Sequence, residues 1–228
     1  GERYEDIEFT NEIINFGPGL LTNIDIYLAI PGNRSNQEIV EISYPEQPGS
    51  YKTDKWGQKT AHFNYQNIKA CQKISPVIKV KAKIYDVRYN VFPEKVGGLN
   101  EIPKNILNKF LIDGQKYQIH HPVIQNGVKE AVGTEKNPYW IARNIFDYLR
   151  EKLYYKRVGG WDIAPTVLER GSGSCSEYTF VYIAMCRAAG VPVRYVGSVV
   201  ARGEDASYDF VYHRWVEVYL PNYGWVPV

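Results

Sequence analysis

The chain has 228 residues, of which 44% are hydrophobic and 23% are charged, and its formal net charge is +2. These are ordinary values for a folded globular protein, so they argue against a disordered chain. The small net charge, without a block of Lys and Arg, gives no indication of nucleic-acid binding, and no apolar run approaches the length of a membrane-spanning helix. The length allows one large domain or two of ordinary size.

Residues 1–97 have the pattern of a β-rich domain. Apolar and polar residues alternate over 7–16 and 22–30, with the turn-forming Gly17-Pro18-Gly19 between them. The other segments of this kind are 39–44, 60–65 and 77–91. Short strands at this spacing predict a sandwich of immunoglobulin-like or transthyretin-like kind. We interpret the domain as a spacer or support, because its sequence contains no group of residues that predicts a catalytic site.

Residues 98–121 are predicted to be a linker that contains a short helix. Pro103 can begin this helix, and Asp113-Gly114 breaks the pattern after it. His120 and His121 could ligate a metal, but adjacent side chains of an extended segment point to opposite faces. We therefore interpret the two histidines as a surface turn.

From Pro122 onward, the pattern changes to helices that are followed by strands. Asn137-Pro138 supplies a cap and a first-turn proline for a helix with an apolar stripe. The stripe consists of Ile141, Ile145, Leu149 and Leu153, joined by Ala142 and Phe146. A short helix is predicted over 164–168, and strands are predicted over 191–200, 210–219 and 225–228. Helices first and strands after predict an α+β unit over 122–228.

Cys175 lies at the predicted start of a further helix. The turn-forming residues 171–174 precede it, and Ser174 can cap the helix. A thiol at this position is close to unpaired backbone N–H groups and to the positive end of the helix dipole, which favour the nucleophilic thiolate. Cys71, Cys175 and Cys186 are an odd number at irregular spacing, so they predict neither a disulfide framework nor a zinc site.

His213 is the candidate base for this thiol. A thiolate nucleophile needs a neighbour that takes its proton and an acid that orients this neighbour. Taken alone, one Cys and one His do not distinguish between two interpretations. They can be a catalytic pair, or Cys175 can be a small buried hydrophobic residue and His213 an unrelated residue of a strand.

Three signatures in a fixed order favour the chemical interpretation. They are Gly173-Ser-Cys-Ser-Glu-Tyr178, Cys186-Arg-Ala-Ala-Gly-Val-Pro-Val-Arg-Tyr-Val-Gly197 and His213-Arg-Trp-Val-Glu-Val-Tyr-Leu-Pro-Asn-Tyr-Gly-Trp-Val-Pro-Val228. Together they resemble the core of the transglutaminase-like superfamily over roughly residues 122–228. The resemblance implies a papain-like core with Cys175 as nucleophile and His213 as general base and acid.

The β-rich domain also resembles the sandwich that precedes this core in many bacterial and archaeal members. Asp54-Lys-Trp-Gly57 is similar to a short motif often found in that sandwich.

The triad aspartate of the family ordinarily stands directly after the Gly-Trp-Val-Pro-Val segment, which here corresponds to position 229, one residue past Val228. We therefore expect the core to be truncated at its C-terminus, and this polypeptide to be poorly active even if its parent is an enzyme. Two carboxylates precede that point. Glu217 belongs to the strand pattern of the family and is interpreted as structural, whereas Asp209 is a loop candidate for the acid.

Several neighbours of the pair are assigned roles. The backbone N–H of Cys175 is a natural oxyanion donor, and Trp161 is a candidate for the second donor, with a packed hydrophobic tryptophan as the competing interpretation. Ser174 is interpreted as a groove or capping residue. Trp215 has the strand parity of His213 and is expected to cover the imidazole, and Arg194 is expected to form a structural ion pair.

The expected function is thiol acyl transfer to or from a peptide or carboxamide. Transfer to water gives a cysteine protease or amidase, and transfer to an amine gives a crosslink; the resemblance to prokaryotic members favours hydrolysis. The alternative is a non-catalytic module of the same fold that binds a peptide or a cell-surface polymer. We expect a protein or peptide substrate, no nucleic-acid partner, no cofactor, no metal and a periplasmic or extracellular location, whereas the oligomeric state is not predicted.

Overall fold

The computed structural model describes residues 1–157, 161–200, 206–210 and 212–228. It contains two compact units, Gly1–Arg88 and Tyr89–Val228. The predicted fold class is confirmed, since antiparallel strands form the first unit and helices followed by antiparallel strands form the second. Val211, which belongs to one of the predicted strands, lies outside the described residues.

The first unit consists of strands. They are β1 (Glu2–Thr10), β2 (Ile13–Ile14), β3 (Leu21–Ala29), β4 (Gln37–Ser43), β5 (Ser50–Thr53), β6 (Lys59–Ile68), β7 (Lys73–Ile74) and β8 (Val77–Tyr85). The strands form two three-stranded sheets, in the orders β1-β8-β4 and β3-β6-β5, and a short β2-β7 pair. All of these pairings are antiparallel.

One hydrophobic core joins the inner faces of the two three-stranded sheets. Ile26 of β3 and Phe63 of β6 contribute to it from one sheet, and Ile78 and Val80 of β8 contribute from the other. Each of these strands alternates inward apolar side chains with outward polar ones, as expected for a sandwich. Three lysines on the outward face of β8 form ion pairs, which are Lys79–Glu8, Lys81–Glu41 and Lys83–Glu2.

The differences from the sequence prediction in this unit include the end of β8 and the presence of β5. β8 ends at Tyr85 and does not extend to residue 91, because its last antiparallel partner is Glu2 at the beginning of β1. β5 was not predicted, and it forms a hairpin with β6 through the segment that resembles the family motif. In this turn the Asp54 carboxylate accepts hydrogen bonds from two backbone N–H groups, and Gly57 adopts a φ of 92° that favours glycine.

The outer face of the β3-β6-β5 sheet carries a polar network around His62. The His62 ring stacks on Tyr27 with a centroid separation of 4.6 Å. Its Nε2 lies 2.7 Å from Asp25 Oδ1, and its Nδ1 lies 3.0 Å from Ser50 Oγ. Asn64 Nδ2 donates a further hydrogen bond to Asp25 at 2.9 Å. These contacts favour the ionised form of the Asp25 carboxyl and thereby lower its pKa.

Asp25→Asn is expected to reduce the loss of stability in acid. Hydrogen bonds from Asn64, His62 and Asn23 lower the pKa of Asp25 to about 2. A lowered carboxyl pKa contributes stability that is present above the unfolded-state pKa of about 3.9 and is lost as the pH falls through the folded-state value. Thermal melts between about pH 5 and pH 2 should show a larger fall in Tm for the wild type than for Asp25→Asn. The control is Asp6→Asn, an exposed change on β1, and equal acid losses in all three proteins would contradict this expectation.

The second unit contains five α-helices, two 3-10 helices (Pro93–Lys95 and Leu99–Glu101) and five strands among its described residues. The helices are α1 (Lys104–Phe110), α2 (Pro122–Val132), α3 (Pro138–Lys152), α4 (Ala164–Arg170) and α5 (Cys175–Ala188). The strands are β9 (Tyr154–Tyr155), β10 (Ser172–Gly173), β11 (Val193–Ser198), β12 (His213–Leu220) and β13 (Gly224–Pro227). The last three form an antiparallel sheet in the order β11-β12-β13, and β9 pairs with β10 in parallel.

α3 begins where its capping residue predicts, and a histidine side chain caps the start of α2. Asn137 Oδ1 accepts a hydrogen bond from the N–H of Tyr139 at 2.9 Å at the start of α3. His121 lies in a turn directly before α2, and its Nδ1 accepts from the N–H of Val123 at 3.3 Å. The predicted apolar stripe of α3 is buried except for Phe146, which is half-buried.

α5 is the central helix of this unit. Side chains on all sides of it are buried, including Val181, Ile183 and Met185 at 0% exposed. A helix that is apolar all round belongs inside a core, and here α2, α3 and α4, together with β11 and β12, pack around it. In the described part of the chain, none of the helices combines the length and the apolar character that crossing a membrane requires.

Candidate active site

Cys175 is the first residue of the central helix. Ser174 is its N-cap, and the two residues of β10 stand directly before this cap. The parallel β9 strand holds β10 in place, and the N–H of Lys156 donates to the carbonyl of Gly173 at 2.8 Å. The thiol is therefore fixed from one side by a short β ladder and from the other by the buried body of α5.

The three thiols differ in accessibility, and all three are free. Cys71 is exposed, Cys175 is half-buried and Cys186 is fully buried. Burial raises the pKa of the Cys186 thiol, and a neutral buried thiol is chemically inert. Of the two cysteines on α5, only Cys175 is placed to react with a molecule from solution.

A buried carboxylate lies directly behind Cys175. Glu177 is 0% exposed, and its Oε2 accepts a hydrogen bond from the N–H of Ser174 at 2.8 Å. Its Oε1 accepts from Arg170 Nη2 at 2.9 Å and from the N–H of Asp162 at 3.3 Å. Arg170 also forms an ion pair with the Asp162 side chain, and these two carboxylates, Glu177 first, raise the pKa of Arg170.

We refer to Asp162, Arg170 and Glu177 as the Glu177 clamp. The clamp joins the segment that follows Trp161 to the start of α5. Gly173 fits against the clamp because glycine has no Cβ. A Cβ at this position would lie only 2.9 Å from the Cβ of Glu177, which is too close. The clamp thus determines the backbone path into Cys175.

A pocket of about 250 Å³ opens in front of the thiol. Cys175, His213 and Asp209 all line it. Its remaining described walls are Tyr155, Arg157, Val200, Tyr208, Phe210 and Tyr212. The structure therefore brings the predicted nucleophile and the predicted base to one cavity, although they are far apart in the sequence.

His213 is the first residue of β12 and is exposed at the pocket. It pairs with Ser198 of β11. The Trp215 ring lies on the same face of the strand, with its centroid 6.4 Å from that of His213 and its plane tilted by 58°. The expected proximity of Trp215 to the imidazole is present, while its role remains a prediction.

The two nearby carboxylates have different surroundings. Glu217 stands opposite Arg194 in the β11-β12 ladder, and Arg194 Nε lies 2.5 Å from Glu217 Oε2. The Arg194 guanidinium also lies 4.3 Å from the centroid of Trp225. Glu217 thus has the structural ion pair that the sequence suggested, whereas Asp209 lies at the pocket with Cys175 and His213.

The other predicted site residues, Trp161, Ser174 and Trp215, are not among the described walls of the pocket. Trp161 is 54% exposed, packs edge-on against Phe180 and lies under the Arg214 guanidinium, which is 5.5 Å from its ring. Ser174 serves as the N-cap of α5. Within the described ranges, no three His, Cys, Asp or Glu side chains cluster as ligands for a metal ion.

Arg187 is a buried cation that sequence reasoning missed. It is 5% exposed, and its Nη2 and Nη1 donate to the carbonyls of Val193 and Ile112, each at 2.7 Å. Its guanidinium also lies 4.7 Å from the Tyr117 ring, and burial lowers the pKa of Arg187. An arginine in the last turn of a helix is commonly an exposed complement to the dipole, so the sequence gives no signal for this role.

Comparison with known proteins gives a family match for the second unit and a similar fold for the chain. Residues 126–228 match the family model described as the transglutaminase-like superfamily. The fold resembles the crystal structure of a candidate cysteine protease from Cytophaga hutchinsonii, with a TM-score of 0.69 and 15% identity, over 99% of this chain and 78% of that chain. The periplasmic domain of TgpA from Pseudomonas aeruginosa is a weaker match, with a TM-score of 0.45 and 14% identity, over 92% of this chain and 70% of that one.

A sequence relative also exists in Haemophilus influenzae. It is an uncharacterized protein that is 26% identical over 90% of this chain. The chain spans 62% of the length of that relative. The family match supports the resemblance found in the sequence: residues 126–228 of this chain match the transglutaminase-like superfamily, and the fold is shared with the Cytophaga hutchinsonii structure.

Proposed function

We propose that this core is a cysteine peptidase or amidase that forms an acyl-enzyme on Cys175. The observation that carries the proposal is the shared pocket of Cys175, at the start of α5, and His213, at the start of β12. A helix start offers backbone N–H groups and a positive dipole end to an anionic sulfur. A nearby imidazole supplies the proton acceptor that a thiol nucleophile requires.

The proposed reaction has two halves. The Cys175 sulfur attacks the carbonyl carbon while His213 takes the thiol proton, and the new C–S bond leaves an oxyanion near the backbone N–H of Cys175. His213 then gives the proton to the leaving amine as the C–N bond breaks. A water molecule, deprotonated by His213, attacks the thioester, which releases the carboxylic acid and restores the thiol. A second oxyanion donor from the Trp161 indole remains a prediction.

The carboxylate that orients His213 has two candidate positions. Asp209 lines the pocket with His213. The other is the aspartate that the family resemblance implies directly after Val228. The N–H of Val228 donates to the carbonyl of Val216 at 3.0 Å, so the end of β13 runs back along β12 toward His213. The reaction needs one of these two carboxylates, because an imidazole without an orienting acid loses its productive tautomer.

Selective alkylation tests the proposed pair. At about pH 6, where an ordinary thiol is almost entirely protonated, limiting iodoacetamide is expected to modify Cys175 faster than the more exposed Cys71. Cys186 should react last because it is buried. Peptide mapping by mass spectrometry measures all three rates in one sample.

The histidine variants complete this test. His213→Ala should remove the advantage of Cys175 over Cys71, whereas His120→Ala, a change in the turn before α2, should preserve it. Equal and slow alkylation of all three thiols in the wild type would instead favour the non-catalytic binding module.

A further inference from the structure

We infer that Arg157 forms a carboxylate-binding subsite beside Cys175, so that the preferred substrate carries a carboxylate close to the bond under attack. The inference deepens the proposed function and rests on it. Three observations carry it: the backbone register that leads to Arg157, the engagement of the neighbouring arginines, and the composition of the pocket walls.

The β9-β10 ladder determines where Arg157 stands. Tyr154 pairs with Ser172 and Tyr155 pairs with Gly173, in parallel. The two segments therefore advance together toward the pocket, and two further residues along each lead to Arg157 and Cys175. Both of these residues line the same cavity. The position of Arg157 beside the thiol is thus a consequence of backbone pairing and not only of a long side chain.

The neighbouring arginines are engaged, whereas Arg157 is not engaged by any residue that the structure describes. Arg170 binds the carboxylates of Glu177 and Asp162. Arg214 donates to the carbonyl of Tyr212. An exposed guanidinium with its donors unused can bind a carboxylate in the bidentate geometry that arginine favours.

The walls strengthen such a pair. Tyr155, Tyr208 and Phe210 line the same pocket, and the rings of Tyr208 and Phe210 lie edge-on at 4.6 Å. These three rings are exposed in the free protein. A ligand carboxylate seated among them loses part of its water, which strengthens its ion pair with Arg157. Asp209 repels a second carboxylate, so the substrate carboxylate is held on the side of Arg157.

A pair of small alkylating reagents can test this subsite without any substrate. Iodoacetate and iodoacetamide both form a C–S bond to the thiolate and release iodide, but only iodoacetate carries a carboxylate. The measured quantity is the ratio of the iodoacetate to the iodoacetamide rate constant at Cys175, divided by the same ratio at Cys71 in the same chain. We expect Arg157→Gln to lower this normalised ratio about tenfold, as for the loss of a charge-assisted hydrogen bond.

Lys156→Gln is the matched control, because it removes the same charge from the adjacent exposed residue, which is not among the described walls of the pocket. The ratio should be unchanged in this variant. An equal fall of the ratio in both variants would show that the positive charge of the surface acts in general and not through Arg157. No fall of the ratio in Arg157→Gln would show that the guanidinium does not bind the carboxylate. Either result overturns the inference. Because an unactivated thiol also alkylates slowly, the ratio remains measurable even if the proposed catalytic function is wrong.

The carboxylate can come from an acidic side chain or from a free chain terminus. Matched peptides distinguish the two sources: one pair exchanges Glu for Gln next to the cleaved bond, and the other exchanges a free C-terminus for an amide. Removal of the carboxylate charge from the true source should lower kcat/KM of the wild type about tenfold. The same removal should leave kcat/KM of Arg157→Gln unchanged. Equal kcat/KM values for all four peptides in the wild type would overturn the inference.

Discussion

Cys175→Ala is expected to abolish acyl-enzyme formation, and His213→Gln is expected to lower kcat by about 10²–10⁴-fold. The alanine removes the only atom that can hold the acyl group in the proposed reaction. The glutamine keeps a polar side chain at the start of β12 but cannot take and return a proton. Hydrolysis of a mixed peptide library, followed by mass spectrometry, measures both losses and does not require a single defined substrate.

The controls for these changes remove the same chemical groups elsewhere. Cys71→Ser removes an exposed thiol from the β-sandwich, and His120→Ala removes an imidazole from the turn before α2. Both should retain the activity of the wild type. Peptide hydrolysis that survives in a folded Cys175→Ala variant would contradict the proposed nucleophile.

Glu177→Gln is expected to lower the free energy of unfolding by about 2–4 kcal/mol. The substitution keeps the shape but turns an amide group toward either the N–H of Ser174 or the guanidinium of Arg170, so a donor faces a donor. The Arg170 side chain is 32% exposed, and water can compensate part of its lost ion pair. The cost is therefore placed below that of breaking a fully buried pair.

Urea unfolding with unchanged m-values measures this cost. The matched control is Glu169→Gln, because Glu169 is an exposed carboxylate on α4 next to Arg170, and its replacement should change stability by less than about 0.5 kcal/mol. Since the clamp positions the backbone before Cys175, the folded Glu177→Gln protein should also alkylate more slowly at Cys175. Equal stability of the two glutamine variants would refute the structural importance of the clamp.

Local signals were sufficient for the helices of the second unit. The four-residue spacing of Ile141 and Ile145 predicts the buried face of α3, and Asn137-Pro138 predicts its start. The β9-β10 ladder could not be predicted in this way, because each strand has two residues and therefore no periodicity. β5 was missed for a related reason, since all four of its residues are exposed.

In the candidate site, too, some features have a local signal in the sequence and others do not. The ordered signatures led to Cys175 and His213, because each motif is local and its order in the chain is visible. Ser174 followed by Glu177 three residues later is also a visible helix-start pattern. The partner of Glu177 is not visible, because Arg170 meets it only after the chain has turned through β10. Arg157 reaches the pocket through a pairing that leaves no trace in residue composition.

Because α5 is buried on all sides, the position of the Cys175 thiol and the shape of the pocket depend on different parts of this core. The position of the thiol depends on the packing of the central helix, which is among the last parts of a folded unit to open. The shape of the pocket depends on Tyr155, Tyr208 and Phe210, which belong to exposed segments. Evolution or engineering can therefore exchange the substrate-facing walls to obtain new preferences, while the reactive atom stays in place.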